Sequence, residues 1–249
     1  MSYSEITFGD KNPVKRWLQR RRLVSALAAA GRPDPPPSQV CDFGAGNGEL
    51  CKLLVKRFPR AGIICYEPEA GLLDEARENL AGLPGIDLCP DMGHLEKASV
   101  DLLFCLEVFE HLPPAETAAA LQRIADLLKP GGKTVIGVPV EIGIPALYKG
   151  LFRMVRRFGA FDADPGNILL CLAGNPPKHR PAAELGPGLN YYFEHLGFDY
   201  RRLMVQLGRY FKRPSITASP FPFLGPRLMP EIYFTLEKGG SRRSRKDGD

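Results

Sequence analysis

The chain has no apolar run of the ~18 to 20 residues that a membrane-spanning helix needs. Its opening stretch, MSYSEITFGDKNPVKRW, also lacks the apolar segment of a secretory leader, so a cytoplasmic location is expected. Cysteine spacing of the kind that holds zinc or forms disulfides is missing as well. Cys41, Cys51, Cys65, Cys89, Cys105 and Cys171 make no CxxC or Cys/His pattern, and most sit in apolar, strand-like runs. They read as small buried hydrophobes, and no metal is expected in this protein. Basic charge is scarce in the body of the chain. The net charge is +5, but residues 1–30 contribute +4 and residues 238–249 contribute +3, leaving −2 between them. A nucleic-acid enzyme is more usually basic around its cleft, so nucleic acid is not the expected partner.

What is present is ordinary for one soluble domain with an insertion: 249 residues, 44% hydrophobic and 24% charged. Residues 13–31 pattern as a basic amphipathic helix carrying Lys15, Arg16, Arg20, Arg21 and Arg22, and RPDPPPS at 32–38 forces an extended linker. Short apolar strands then alternate with helical stretches. We expect strands at 39–43, 61–66, 85–89, 100–106 and 132–138, with helices near 47–58, 69–81 and 114–128, which is the pattern of a parallel sheet covered on both faces. The alternation breaks after 138 for about sixty residues rich in Gly and Pro, as in inserted segments that serve function. Asp199 is a plausible N-cap for a helix over 200–211, and ITASPF with IYFTLE suggests a terminal antiparallel hairpin over 213–237. The tail from 238 has the composition of a disordered segment.

One segment carries chemistry. Asp42-Phe43-Gly44-Ala45-Gly46-Asn47-Gly48 follows the first strand and opens a helix, and Glu67 closes the second strand, followed by Pro68. Such glycines let the backbone turn tightly and approach a ligand, and an acid at that position can accept both hydroxyls of a ribose. The third glycine is one residue too early for the G-x-G-x-x-G of a dinucleotide site.

Asp-x-Gly-x-Gly-x-Gly with this acid resembles motif I of the class I S-adenosylmethionine-dependent methyltransferases, and the resemblance extends over residues 39–138. Asp91 and Met92 stand where family members hold the adenine. Leu106-Glu107-Val108-Phe109-Glu110-His111-Leu112 resembles the segment that lines the methionine end of the cofactor. Leu127-Leu128-Lys129-Pro130-Gly131-Gly132 resembles the turn into the fifth strand, and Phe198 to Leu203 with Ser219-Pro220-Phe221-Pro222 looks like a bacterial subset. The resemblance implies an α/β, Rossmann-like, seven-stranded, mostly parallel sheet with an antiparallel last strand at the edge. It has helices on both faces and a lid insertion after strand 5. It implies one domain over 1–249: an N-terminal helix at 1–31, a cofactor core at 39–138, a substrate lid at 139–198, a helix and hairpin at 199–237, and a tail at 238–249. S-adenosyl-L-methionine would be held by Asp42, Gly44, Ala45, Gly46, Asn47, Gly48, Glu67, Pro68, Asp91, Met92, Glu107 and Val108.

His111, with Glu107, is the candidate catalytic residue, since an imidazole titrates near neutral pH and can take a proton from a hydroxyl. A His beside Leu112 and Pro113 can equally well bond the loop backbone, and methyl transfer needs positioning above all. In the insertion, Tyr148, His179, Arg180 and Tyr191 are candidates for substrate contact, with Tyr192 and His195 nearby. Ile144, Leu147, Tyr148, Leu151, Phe152 and Val155 recur at helical spacing opposite Lys149, Arg153, Arg156 and Arg157. The expected arrangement is a helix packed on the sheet with a solvated basic face, and the sharper alternative is contact with a membrane or a lipid-linked substrate. The expected acceptor is a hydroxyl of a small or carrier-linked molecule, such as a saccharide or lipid intermediate. RNA or protein methylation, or cofactor binding without turnover, are the alternatives.

Overall fold

The computed structural model describes residues 13–186 and 189–239. The tail beyond 239 and the side chain of Lys15 lie outside what is described.

Strands β1 (Gln39–Phe43), β2 (Gly62–Tyr66), β3 (Ile86–Cys89), β4 (Val100–Leu106) and β5 (Leu128–Pro139) run parallel, and β9 (Glu231–Lys238) and β8 (Phe211–Ser219) extend the sheet. The order is β3-β2-β1-β4-β5-β9-β8, with β9 antiparallel to both neighbours. The last strand of the chain therefore lies inside the sheet, between β5 and β8. This corrects the expected edge position: β8 is the edge strand, and the β8–β9 hairpin has folded its second strand inward, where Ile232, Tyr233 and Phe234 are fully buried. β5 begins four residues earlier than expected. Leu128 pairs with Val100, residues 129–132 loop out, and pairing resumes at Leu102 with Lys133.

Helices α1 (Pro13–Ala29), α2 (Glu49–Arg57) and α3 (Ala70–Asn79) pack on one face over Val40, Leu54, Ile63 and Phe104. α4 (Pro114–Leu127) and α7 (Tyr200–Tyr210) cover the other, over Leu103, Ile124, Ile136 and Phe234. Helix ends follow the local chemistry: Glu69 accepts from the N–H groups of Gly71 and Leu72 at the start of α3, and Asp199 accepts from Arg201 N–H at the start of α7. All six cysteines are buried and unpaired, as their apolar context suggested.

The segment between β5 and α7 forms α5 (Ile144–Arg157), α6 (Pro165–Leu172) and the two-stranded hairpin β6 (Ala182–Gly186)–β7 (Leu189–Tyr192). It has a small core of its own, Ala146, Ile168, Cys171 and Leu196. A Cβ at Gly150 would stand 2.6 Å from the Ile168 side chain, so only glycine lets α5 lie this close to α6.

α5 corrects the sequence expectation. Three of its four cations turn to buried acids, while Arg156 stays exposed over the Phe152 ring: Lys149 meets the Glu141 carboxylate at 2.9 Å, Arg153 grips it with two bonds of 2.9 Å, and Arg153 and Arg157 both reach Asp162. Glu141 and Asp162 are essentially without solvent exposure, and buried charges must be paired. The cations hold Glu141 down to about 2 against the opposing pull of burial. Ile144, Tyr148, Leu151, Phe152 and Val155 consequently point to solvent, Val155 with 87% of its surface exposed.

Candidate active site at the carboxyl ends of the parallel strands

The turn after β1 crosses itself in a left-handed conformation, with φ of +76° at Gly44, +54° at Gly46 and +80° at Gly48. Gly44 N–H and Ala45 N–H both donate to the carbonyl of Tyr66 at 2.9 Å, fastening this turn to the end of β2. A Cβ at Gly44 would lie 2.5 Å from Val108 Cγ2, so the segment after β4 rests directly on the glycine turn. No atom lies within 4 Å of where a Cβ at Gly46 would stand.

Glu67, at the tip of β2, accepts from Gly46 N–H at 2.8 Å on one oxygen and from Glu69 N–H at 2.9 Å on the other. Each oxygen keeps a further lone pair, and burial pushes the carboxyl up from its ordinary value. Asp42 is buried too and is pushed by desolvation up to about 7, with the Cys51 thiol 3.5 Å from its Oδ2 as the compensating donor. Asn47 is buried, and among the described residues its side-chain Nδ2 has no partner, while its backbone carbonyl accepts from Asn79 at 2.8 Å. Past β3, Asp91 accepts from Gly93 N–H at 2.9 Å with its side chain otherwise in solvent, Met92 packs on the core, and Pro68 is exposed.

After β4, Glu107 adopts φ +55°, unusual for a residue with a side chain, and its N–H donates to Gly137 O at 2.9 Å. Its Oε2 stands 3.1 Å from Arg22 Nη2 on α1, and Arg22 Nε lies 2.8 Å from Glu231 Oε1 without hydrogen-bond alignment. Arg22 reads in the sequence as one of several cations on a helix face, and nothing local marks it as the one that joins the site. Glu110 is completely buried, and burial together with the nearby Glu107 raises its carboxyl well above the usual range.

His111 ends this segment. Its Nδ1 is 2.7 Å from Tyr192 O, its ring stacks on Tyr191 with centroids 4.5 Å apart, and His195 meets it edge-on at 4.7 Å. Arg180 donates to Glu110 O at 2.8 Å and to Glu194 O, and lies over the Tyr192 ring at 4.2 Å. The hairpin of the insertion is thereby clamped on the turn after β4. Of the four substrate candidates, Arg180 and Tyr191 reach this place. His179 is exposed, and Tyr148 sits on the outer face of α5 and donates to Leu228 O at 3.3 Å.

Comparison with known proteins agrees with the geometry. Residues 40–132 match the model of a methyltransferase domain. Over its full breadth the fold matches a SAM-dependent methyltransferase from Aquifex aeolicus, at TM-score 0.60 and 13% identity, covering 96% of this chain and 99% of that one. The chain carries a class I S-adenosylmethionine-dependent methyltransferase domain. A second neighbour of that domain is the 1,6-didemethyltoxoflavin-N1-methyltransferase of Burkholderia thailandensis, with TM-score 0.56 and 16% identity over 94% of this chain and 84% of that one. In sequence, the domain is 34% identical over 149 residues to a trans-aconitate 2-methyltransferase of Methylobacterium nodulans, spanning 59% of this chain and 54% of the relative. It is 32% identical over 119 residues to a malonyl-[acyl-carrier protein] O-methyltransferase of Methylococcus capsulatus, spanning 47% of this chain and 42% of the relative. The chain thus spans about half the length of the curated relatives it matches.

Proposed function

We propose that this protein transfers a methyl group from S-adenosylmethionine to a hydroxyl of a small-molecule or carrier-linked acceptor. The observation that carries the reading is the union of the Gly44–Gly48 turn with Glu67 and Val108, a cradle open above Gly46 and closed by buried acids. When bound, S-adenosylmethionine supplies a methyl group on a positively charged sulfonium. The residues present suit such a ligand: Asp42, Glu67 and Glu107 surround the turn with buried or half-buried carboxylates, and burial makes two of them hard to ionise without a cation beside them. Asp42, Glu107 and the turn would hold the methionine portion, with the unpartnered Asn47 amide available to its carboxylate. Glu67 would take the ribose, and Asp91, Met92 and Pro68 the adenine end. Transfer from a sulfonium is an in-line displacement, so the protein's part is chiefly positioning.

His111, pinned by Tyr192 and stacked on Tyr191, presents Nε2 to the space beside Glu107 and Glu110, where an acceptor hydroxyl would lie. The test is a methyl-labelled donor offered with hydroxyl- and carboxyl-bearing acceptors, free and linked to a carrier. A product stable to mild base is an ether and supports the reading. A base-labile product is a methyl ester and overturns it.

The outward face of α5 supports a further partner. Ile144, Leu151, Phe152 and Val155, with Phe223 and Leu228 of the adjoining turn, form an exposed apolar face flanked by Arg156, Arg157 and Arg227. Apolar side chains among cations suit the surface of an anionic bilayer, and we read this face as a peripheral membrane contact that would favour lipid-linked acceptors.

A further inference from the structure

Glu110 is completely buried, and among the described residues neither of its oxygens meets an N–H or O–H donor; its side-chain neighbour at hydrogen-bonding range is the Glu107 carboxyl, a second acid. Native proteins seldom leave a carboxyl group in that condition without a proton or an ion to account for it. Arg22, a cation whose charge Glu110 feels, is turned to Glu107 and Glu231. Two imidazoles face the same spot. His111 Nε2 is 3.9 Å from Glu110 Oε1, and one nitrogen of His195, one of His111 and one oxygen of Glu110 all lie within 4.8 Å of one another. His111 is already oriented for ligation: its Nδ1 is tied at 2.7 Å to the Tyr192 carbonyl, which makes Nδ1 the protonated nitrogen and leaves the Nε2 lone pair bare. Backbone carbonyls commonly hold metal-binding histidines in this way. Glu107 Oε1 on the same turn is buried and unpartnered as well, and offers a fourth donor.

From this cluster we infer that Glu110, His111 and His195, with Glu107 beside them, form a binding site for a divalent transition-metal ion. Two nitrogen donors and one or two carboxylates suit Mn²⁺, Fe²⁺ or Zn²⁺ rather than Ca²⁺, which takes all-oxygen cages. Ligand bonds of ~2.0 to 2.2 Å bring donor atoms to within about 3.5 Å of each other, a closing movement that side-chain rotation can supply. The cysteine spacings weighed in the sequence do not bear on this site, because its ligands come from a five-residue turn and from a loop more than eighty residues later. Arg180 holds those two segments together through the Glu110 and Glu194 carbonyls. The site deepens the proposed hydroxyl reading, on which its catalytic meaning rests: a metal here has open positions for the acceptor oxygen and would favour its deprotonated form.

The test uses the full chain, stripped with a chelator and titrated with Mn²⁺ in the absence of any methyl donor. Free Mn²⁺ is followed by electron paramagnetic resonance. We expect about one ion per chain, with affinity reduced at least about tenfold in Glu110→Gln and in His195→Ala and unchanged in His94→Ala, an exposed histidine elsewhere. Wild type should also melt at higher temperature with Mn²⁺ than without, and Glu110→Gln should not. A cooperative melt certifies the fold of each variant, and the near-isosteric Glu110→Gln carries the test if His195→Ala does not fold. Retention of no ion by the wild type, or equal affinity in wild type and Glu110→Gln, overturns the site. Because no donor is present, that failure is separate from any failure of S-adenosylmethionine binding.

Discussion

Asp42 sits in the core beside the glycine turn with a thiol as its compensating donor, and burial pushes its carboxyl up to about 7. Near neutral pH part of the population therefore carries a proton there. A cationic ligand in the cradle favours the ionised form, so binding of S-adenosylmethionine should release a proton near pH 7 and none from this group at about pH 9, where it is already ionised. Calorimetry in two buffers of different ionisation enthalpy measures this, and Asp42→Asn should abolish the difference. Equal heats in both buffers near pH 7 would count against the placement of the ligand. Gly44 gives a second test. Alanine there meets both a positive φ and a contact of 2.5 Å to Val108 Cγ2, and should cost about 1 to 3 kcal/mol of stability. Val108→Ala in the same chain should restore the part due to the contact and leave the part due to φ, as read from denaturant midpoints. These residues were legible in the sequence because the turn, its glycines and its acid are all local. Arg22 was not, since its partners Glu107, in the turn after β4, and Glu231, at the start of β9, lie far along the chain.

At the scale of elements, α5 shows where periodicity runs out. The spacing identified a helix over 142–158 and its two faces, but not which face turns inward. That was decided by Glu141, just outside the helix, and Asp162, in the turn that follows, whose burial draws Lys149, Arg153 and Arg157 in after them. Arg153→Met should leave Glu141 and Asp162 short of charge and destabilise the protein by about 3 to 5 kcal/mol in urea unfolding. The acid limb should carry the same signature. Glu141 has its folded value near 2, below the ordinary 4.5, so its contribution is fully present above about 4.5 and drains as pH falls toward 2. Glu141→Gln should remove that part of the pH dependence, and an unchanged slope of stability against pH over that window would show that the network contributes nothing. The outward face has its own test: sedimentation with phosphatidylcholine vesicles, with and without phosphatidylserine. Binding should require the anionic lipid and be lost in Val155→Asp/Phe223→Asp, whereas equal binding by that variant would rule the face out.

At the scale of the molecule, strands β1 to β4 and the helices between them were readable almost to the residue, because each is a short apolar run bounded by turn chemistry. The placement of β9 between β5 and β8 was not, since a hairpin's own sequence does not say which of its strands meets the sheet. Within the insertion only the α5 helix was legible, and the hairpin and its clamp through Arg180 depend on contacts across some seventy residues. The proposed methyl transfer rests on the ligand held by the turn after β1. Titration calorimetry of the intact chain with S-adenosylmethionine and with NAD tests that most directly. The account predicts one molecule of S-adenosylmethionine per chain, bound more tightly than NAD, and a loss of about 1 to 3 kcal/mol in Glu67→Ala. No binding of S-adenosylmethionine, or tighter binding of NAD, would contradict it.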